Sequence, residues 1–203
     1  MAKAGTSIAE LWKRIDACLL EHVPKEWLPP GLTEGEIRRA ERVLGVRLPD
    51  DVRESYGIHN GLPAFEFSYL GHLAPLVRKK NVVGLPMYSV VEHWRSNRDL
   101  AKSWTDRPAV HPKGPIAPVW WRREWIPIFD DIQGNHFFLD LKPRKGGVRG
   151  QIVDFDRSYG PLKVYVKSFG AWLKRVARDL ERGEYLFGKP DHINKSVHLM
   201  TKL

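Results

Sequence analysis

Two short apolar runs separated by turn-forming residues constrain this chain more than any other stretch: Trp125-Ile-Pro-Ile-Phe-Asp-Asp-Ile-Gln-Gly-Asn-His-Phe-Phe-Leu-Asp140. Ile126, Ile128 and Phe129 are expected to end one strand. His136, Phe137, Phe138 and Leu139 are expected to form the next. Between them Asp130, Asp131, Gly134 and Asn135 carry turn chemistry, because Gly and Asn accept positive φ and short carboxylates bond their own backbone. The connection is longer than the tightest hairpin allows, so a wider turn is expected. Pro127 has no amide hydrogen for a ladder bond, which places it at a strand end or on an edge.

The pattern continues downstream. A polar, glycine-rich connection from Asp140 to Gly150 leads into Gln151-Ile-Val-Asp-Phe-Asp156, a third strand, and Leu162 to Val166 make a fourth. Successive short strands joined by turns predict an antiparallel meander. Helices flank it. Ser7 with Glu10, and Thr33 with Glu36, have the spacing of capping boxes. Ile8, Leu11, Trp12, Ile15 and Leu19 then form one apolar stripe, and Ile37, Ala40 and Leu44 another, closed by Gly45. A third helix begins after Pro49, with Asp50 and Asp51 at its positive end, and stops at Asn60-Gly61. His59, beside that stop, reads as structural. Phe65 to Leu73 reads as a strand, and Pro86 to Trp104 as a helix. Pro108, Pro112, Pro115 and Pro118 make residues 105–118 an irregular loop. Ser168 caps a last helix with Phe169, Trp172, Leu173, Val176 and Leu180 inward. The expected fold class is α+β, a mainly antiparallel central sheet covered by N- and C-terminal helices. In this reading residues 1–30 are a helix and a Pro-rich link packed on the domain of residues 31–187. Residues 188–203 are a tail expected to be mobile.

Composition removes several function classes. There is no apolar run long enough to span a bilayer, and no secretory pattern at the N-terminus, so a cytoplasmic protein is expected, with no membrane partner. The single cysteine, Cys18, allows no internal disulfide and reads as a small core residue. The eight histidines lack zinc-protease spacing, and no P-loop, dinucleotide fingerprint or nucleophile elbow appears. No cofactor or metal is therefore expected. The formal net charge of +9 suits acidic partners or nucleic acid, or only keeps the surface soluble.

Trp125, Gly134-Asn135, Asp140-Leu-Lys-Pro143 and Gly147-Val-Arg-Gly-Gln-Ile152 occur in an ordered series. Upstream stand Gly31-Leu-Thr-Glu34, Leu44-Gly-Val-Arg-Leu-Pro-Asp-Asp51 and His59-Asn-Gly61, and downstream Ser168-Phe-Gly-Ala-Trp-Leu173. Together these resemble the SUKH superfamily over about Gly31 to Glu184. That superfamily contains yeast cell-wall glucan synthesis regulators and many bacterial immunity proteins of toxin systems. The resemblance implies the same α+β class, with Trp125, Gly134, Asp140, Gly150 and Gln151 as signature positions. It also implies a non-enzymatic binding protein, and a bacterial immunity protein that neutralises a toxin domain is the leading expectation. The alternatives are a regulatory or scaffold protein, and a basic nucleic-acid-binding protein.

In the leading reading the sheet and its loops form a rigid concave surface for the partner. Aromatic and charged anchors then carry affinity, and the candidates are Trp121, Arg123, Asp130, Asp131, Asn135 and Asp156. Trp120 and Trp121, being adjacent, are expected to face opposite ways, one inward and one outward. Asp130, Asp131, Asp140, Asp154 and Asp156 are carboxylates at neighbouring strand ends. Paired carboxylates can do acid–base chemistry or hold a cation, but strand-end Asp more often serves local hydrogen bonds. His136 and Asp140 share a strand side, so an acid–base couple and a merely structural pair are both open there. Gly146-Gly147 and Gly150, among Lys142, Arg144, Lys145 and Arg149, could cradle a phosphate, though a flexible basic turn is the favoured reading.

Overall fold

The computed structural model describes residues 6–22, 24–61, 67–69, 83–103, 110–130, 135–183 and 185–187. Helix α1 (Ile8–Leu19) starts at a complete capping box: the Ser7 side chain accepts from the Glu10 amide, and the Glu10 carboxylate accepts from the Ser7 amide. Helix α2 (Glu34–Leu44) repeats the device with Thr33 and Glu36, and ends on Gly45 at φ 67°. Helix α3 (Asp50–Ile58) follows. Asn60, just beyond it, turns its Oδ1 to the Met87 amide at 2.8 Å, so the residue that follows one helix caps the next, α4 (Met87–Ser103). Between these two helices lie two short strands, β1 (Phe67–Tyr69) and β2 (Val83–Gly84).

Strands β3 (Trp125–Asp130), β4 (His136–Asp140), β5 (Gln151–Asp156) and β6 (Gly160–Val166) are the expected meander, each antiparallel to the next. β2 adds to the free side of β3, giving one five-stranded sheet in the order β2-β3-β4-β5-β6. Helix α5 (Phe169–Glu181) follows, capped by Ser168, and β7 (Tyr185–Phe187) pairs with β1 in a separate two-stranded ladder. Pro127 is tolerated inside β3 because β2 pairs only with Phe129 and Asp130, and a bulge lies between Pro127 and Phe129.

The two sheet faces are buried by different means. Ile126, Ile128, Phe137, Leu139 and Ile152 join the large core built by α1 to α5. Alternation sends Trp125, Phe138, Val153 and Phe155 to the other face. There Val110, Ile116, Ala117 and Trp120 of the proline-rich segment close over them in a second core. This strap is irregular, as its prolines demand, yet it is anchored: Lys113 bridges to Lys163, and its amide donates to the Leu162 carbonyl at 2.7 Å. Burial of both faces corrects one expectation. The sheet does not present a concave surface to a partner, because helices cover one side and the strap the other. The remainder of the expected strand over Phe65 to Leu73, and the tail of residues 188–203, lie outside the described residues. No helix among the described residues is long and apolar enough to cross a membrane.

Candidate functional site

Antiparallel pairing sorts the partner-contact candidates into two groups at opposite ends of the sheet. Asp130 ends β3, Asn135 precedes β4 and Asp156 ends β5, so these three share one end. Asn135 Oδ1 accepts from the Arg157 amide at 2.9 Å, tying the β3–β4 connection to the β5–β6 turn. Asp156 Oδ1 accepts from the amides of Ser158 at 2.7 Å and Tyr159 at 3.1 Å, the local turn chemistry its side chain favours. Asp131 and Gly134 lie outside the described residues.

Trp121 and Arg123 lie at the other end, about 15–20 Å away by the rise of a strand. Trp121 is half-buried, edge-on to Trp94 with ring centroids 5.9 Å apart, and packs against both cores. Trp120 is buried in the strap's core. The expected outward-facing tryptophan is therefore largely a spacer between cores, since these residues precede β3 and do not alternate as a strand. Arg123 is exposed. Its guanidinium lies over Gly45, where an added Cβ would sit 2.7 Å from Nη2.

The signature positions converge. Trp125 and Asp140 are opposite each other in the β3–β4 ladder, and Asp140 and Gln151 in the next. All three are buried. Asp140 Oδ1 accepts from the Lys142 amide at 3.1 Å, and Oδ2 from Gln151 Nε2 at 3.2 Å. The Gly150 amide donates to the Asp140 carbonyl at 2.8 Å. Gln151 Nε2 also reaches the Pro115 carbonyl at 3.3 Å, while its Oε1 accepts from the Val148 amide at 3.2 Å. One polar node thus joins three strands, the strap and the β4–β5 loop. Burial raises the Asp140 pKa above its ordinary 3.8. The Lys142 amide, Gln151, Trp125 and the Arg122 charge oppose that rise without cancelling it.

The same bonds fix the β4–β5 loop, which sequence reasoning favours as a flexible turn. Arg144 donates its amide to the Pro115 carbonyl at 3.1 Å, Gly147 to Arg144 at 2.9 Å, and Gln151 to Val148 at 2.9 Å. Arg149 Nη2 reaches the Arg47 carbonyl at 2.6 Å. Two of these are local turn bonds, but Pro115 and Arg47 are long-range partners, invisible to a local reading of glycines and lysines.

No acid–base couple forms between His136 and Asp140. His136 packs among Phe138, Phe155 and His93, its ring 5.4, 6.2 and 5.2 Å from theirs, while Asp140 bonds within the node. Asp154 alternates away from Val153 and Phe155, and Asp156 lies at the far end of β5 from Gln151. Asp140, Asp154 and Asp156 thus lie on both faces and at both ends of the sheet.

A meander backed by helices on one face and a strap on the other, with a Trp–Asp–Gln node at one end, is an α+β domain of the SUKH kind. The chain belongs to the SMI1 / KNR4 family (SUKH-1), whose family model matches residues 31–175. It is 28% identical to the cell wall biosynthesis/cell cycle regulator smi1 of Schizosaccharomyces pombe, over 94% of this chain and 40% of that protein. It is 27% identical to the cell wall assembly regulator SMI1 of Saccharomyces cerevisiae, over 86% of this chain and 40% of that protein. A glucan synthesis regulatory protein of Neurospora crassa is 26% identical, over 88% of this chain and 39% of that protein. The chain thus spans about two-fifths of the length of these relatives. They overturn the expectation of a bacterial immunity protein bound to a toxin: the similar proteins are eukaryotic regulators of the cell wall, the alternative that the sequence had ranked second.

Proposed function

We propose that this chain is a non-enzymatic protein-binding module with a regulatory role, of the kind found in cell-wall assembly regulators. The observation that carries this reading is the similarity to three fungal regulators, each matched over more than four-fifths of this chain. The disposition of the polar groups supports it. Asp156 holds a turn and Asp140 a buried node, so these two strand-end carboxylates have local structural bonds, and Asn135 ties one turn to another. Partner contacts then belong to the loop ends of the sheet, since its faces are filled by cores. Arg123 remains a contact candidate at one end, and Asp130, Asn135 and Asp156 shape the other.

A chimera tests the reading. This chain replaces the matching segment of the Saccharomyces cerevisiae regulator, in cells lacking the native copy. Restored resistance to cell-wall stress is the expected result. A chimera that accumulates as folded protein and restores nothing would count against a regulatory role in the cell wall.

A further inference from the structure

Three separate segments bring cations to the Trp125 end of the sheet. The β4–β5 loop supplies Lys142, Arg144, Lys145 and Arg149, all exposed, and residues 141–150 contain no Asp or Glu. The α2–α3 connection meets it through the Arg149 bond to the Arg47 carbonyl and through Gly150, where an added Cβ would lie 3.1 Å from Pro49 Cγ. The turn before β3 meets it through Arg122 Nη1, which donates to the Lys142 carbonyl at 3.2 Å, and adds Arg123. Arg47 pairs with Asp50 at 3.4 Å and Arg122 with Glu124 at 3.0 Å. Among the described residues Arg123, Lys142, Arg144, Lys145 and Arg149 form no close ion pair, although the Lys142 charge reaches the Glu124 carboxylate.

Gathering like charges costs the isolated protein, and three of these side chains serve no bond within the fold. Those of Lys142, Arg144 and Lys145 make no hydrogen bond to the described residues. The loop beneath them is nevertheless fixed by backbone bonds, so a partner would meet a surface already arranged. Arginine forks suit planar carboxylates. Val148, 49% exposed within the loop, offers an apolar contact beside them. The rim offers little base-stacking surface: Trp121, beside Arg122, is half-buried between the two cores, and Trp125 is buried.

We infer that this rim is the docking surface for a carboxylate-rich segment of a partner protein. The inference rests on the protein-binding reading above and supplies the partner's chemistry. Fluorescence anisotropy on the full chain tests it, with a labelled Glu-rich peptide carrying one Leu as probe. A Lys-rich counterpart and single- and double-stranded DNA serve as comparisons. The Glu-rich peptide is expected to bind and to weaken between about 50 and about 200 mM salt. Lys142→Glu, Arg144→Glu and Lys145→Glu together should weaken it at least about tenfold. Lys163→Glu, Lys167→Glu and Lys174→Glu, which change net charge equally but lie on β6, beside α5 and within it, should change it less than about twofold. All six side chains are exposed, and an unchanged thermal midpoint confirms that each triple variant folds. No peptide binding, equal loss in the two triples, or DNA bound more tightly and lost with the rim would each overturn the inference. The two readings fail separately. A working chimera without peptide binding removes the rim alone, and peptide binding with a failed chimera removes the cell-wall role alone.

Discussion

His59 shows how much a single side chain can tie together. Its Nδ1 lies 2.7 Å from the Pro29 carbonyl and its Nε2 3.1 Å from Asp16 Oδ2, so both nitrogens face acceptors. Only the imidazolium can donate to both. Burial works against that charge, but the Asp16 hydrogen bond, the Pro29 carbonyl and the Asp16 charge together prevail and raise the pKa above 6.5. The stabilisation is therefore complete below 6.5 and is lost as pH rises through the raised folded value. Titration of His59 by NMR should give a midpoint above 6.5 that falls in Asp16→Asn; an unchanged midpoint in that variant would contradict the pairing. Asp140 obeys the same sign for a different reason. Its raised pKa means that the folded state holds the proton more tightly, so its contribution is most favourable below 3.8 and declines as pH rises through the folded value. Asp140→Ala leaves the Lys142 amide without its acceptor and takes from Gln151 Nε2 one of its two, the Pro115 carbonyl remaining, and should cost about 1–3 kcal/mol in urea denaturation. Asp140→Asn keeps a carbonyl and removes the charge, so it should cost less at neutral pH and flatten the pH dependence.

Between elements, close approach decides more than propensity. An added Cβ at Gly31 would sit 1.9 Å from the Gly57 carbonyl oxygen, where the link runs against the end of α3. The Leu32 amide donates to the Tyr56 carbonyl at 2.8 Å, and Asn60 to Pro30 at 3.2 Å, so neither segment can yield without losing bonds. Gly31→Ala should destabilise by about 3 kcal/mol or more, whereas Gly146→Ala should cost about 1 kcal/mol, because φ +90° strains it but open space surrounds it. Equal melting shifts for the two variants would sink this account of the link. The elements were legible where the signal is local. Both capping boxes, the stripe of α1 and the four strands of the meander stand where side-chain spacing predicts them. Position relative to other elements was not legible. Trp121 needed the second core to explain its burial, and the β4–β5 loop needed Pro115 and Arg47 to explain its fixity. The Asp140–Gln151 contact spans eleven residues, and only the register of β4 on β5 creates it.

For the whole molecule the arrangement of cores matters most. Helix α1 lies against α5 and α3, and Trp12 is buried there with its Nε1 donating to Ser55 Oγ at 2.8 Å. Arg14, two residues on, pairs with Glu181 at the end of α5. Trp12→Ala should lower stability by about 3–5 kcal/mol within one cooperative transition. A separate early transition in calorimetry would show instead that α1 melts on its own. With both sheet faces filled by cores, the loop ends of the sheet are what the domain presents outward, and the proposed role is recognition of a partner there. Affinity purification of the tagged chain from a Saccharomyces cerevisiae extract, read by quantitative mass spectrometry, tests that claim most directly. The account predicts a reproducible set of cell-wall or signalling proteins above the tag-only control, depleted in the destabilised Gly31→Ala variant. A specific set lacking such proteins, or no protein above control, would contradict it.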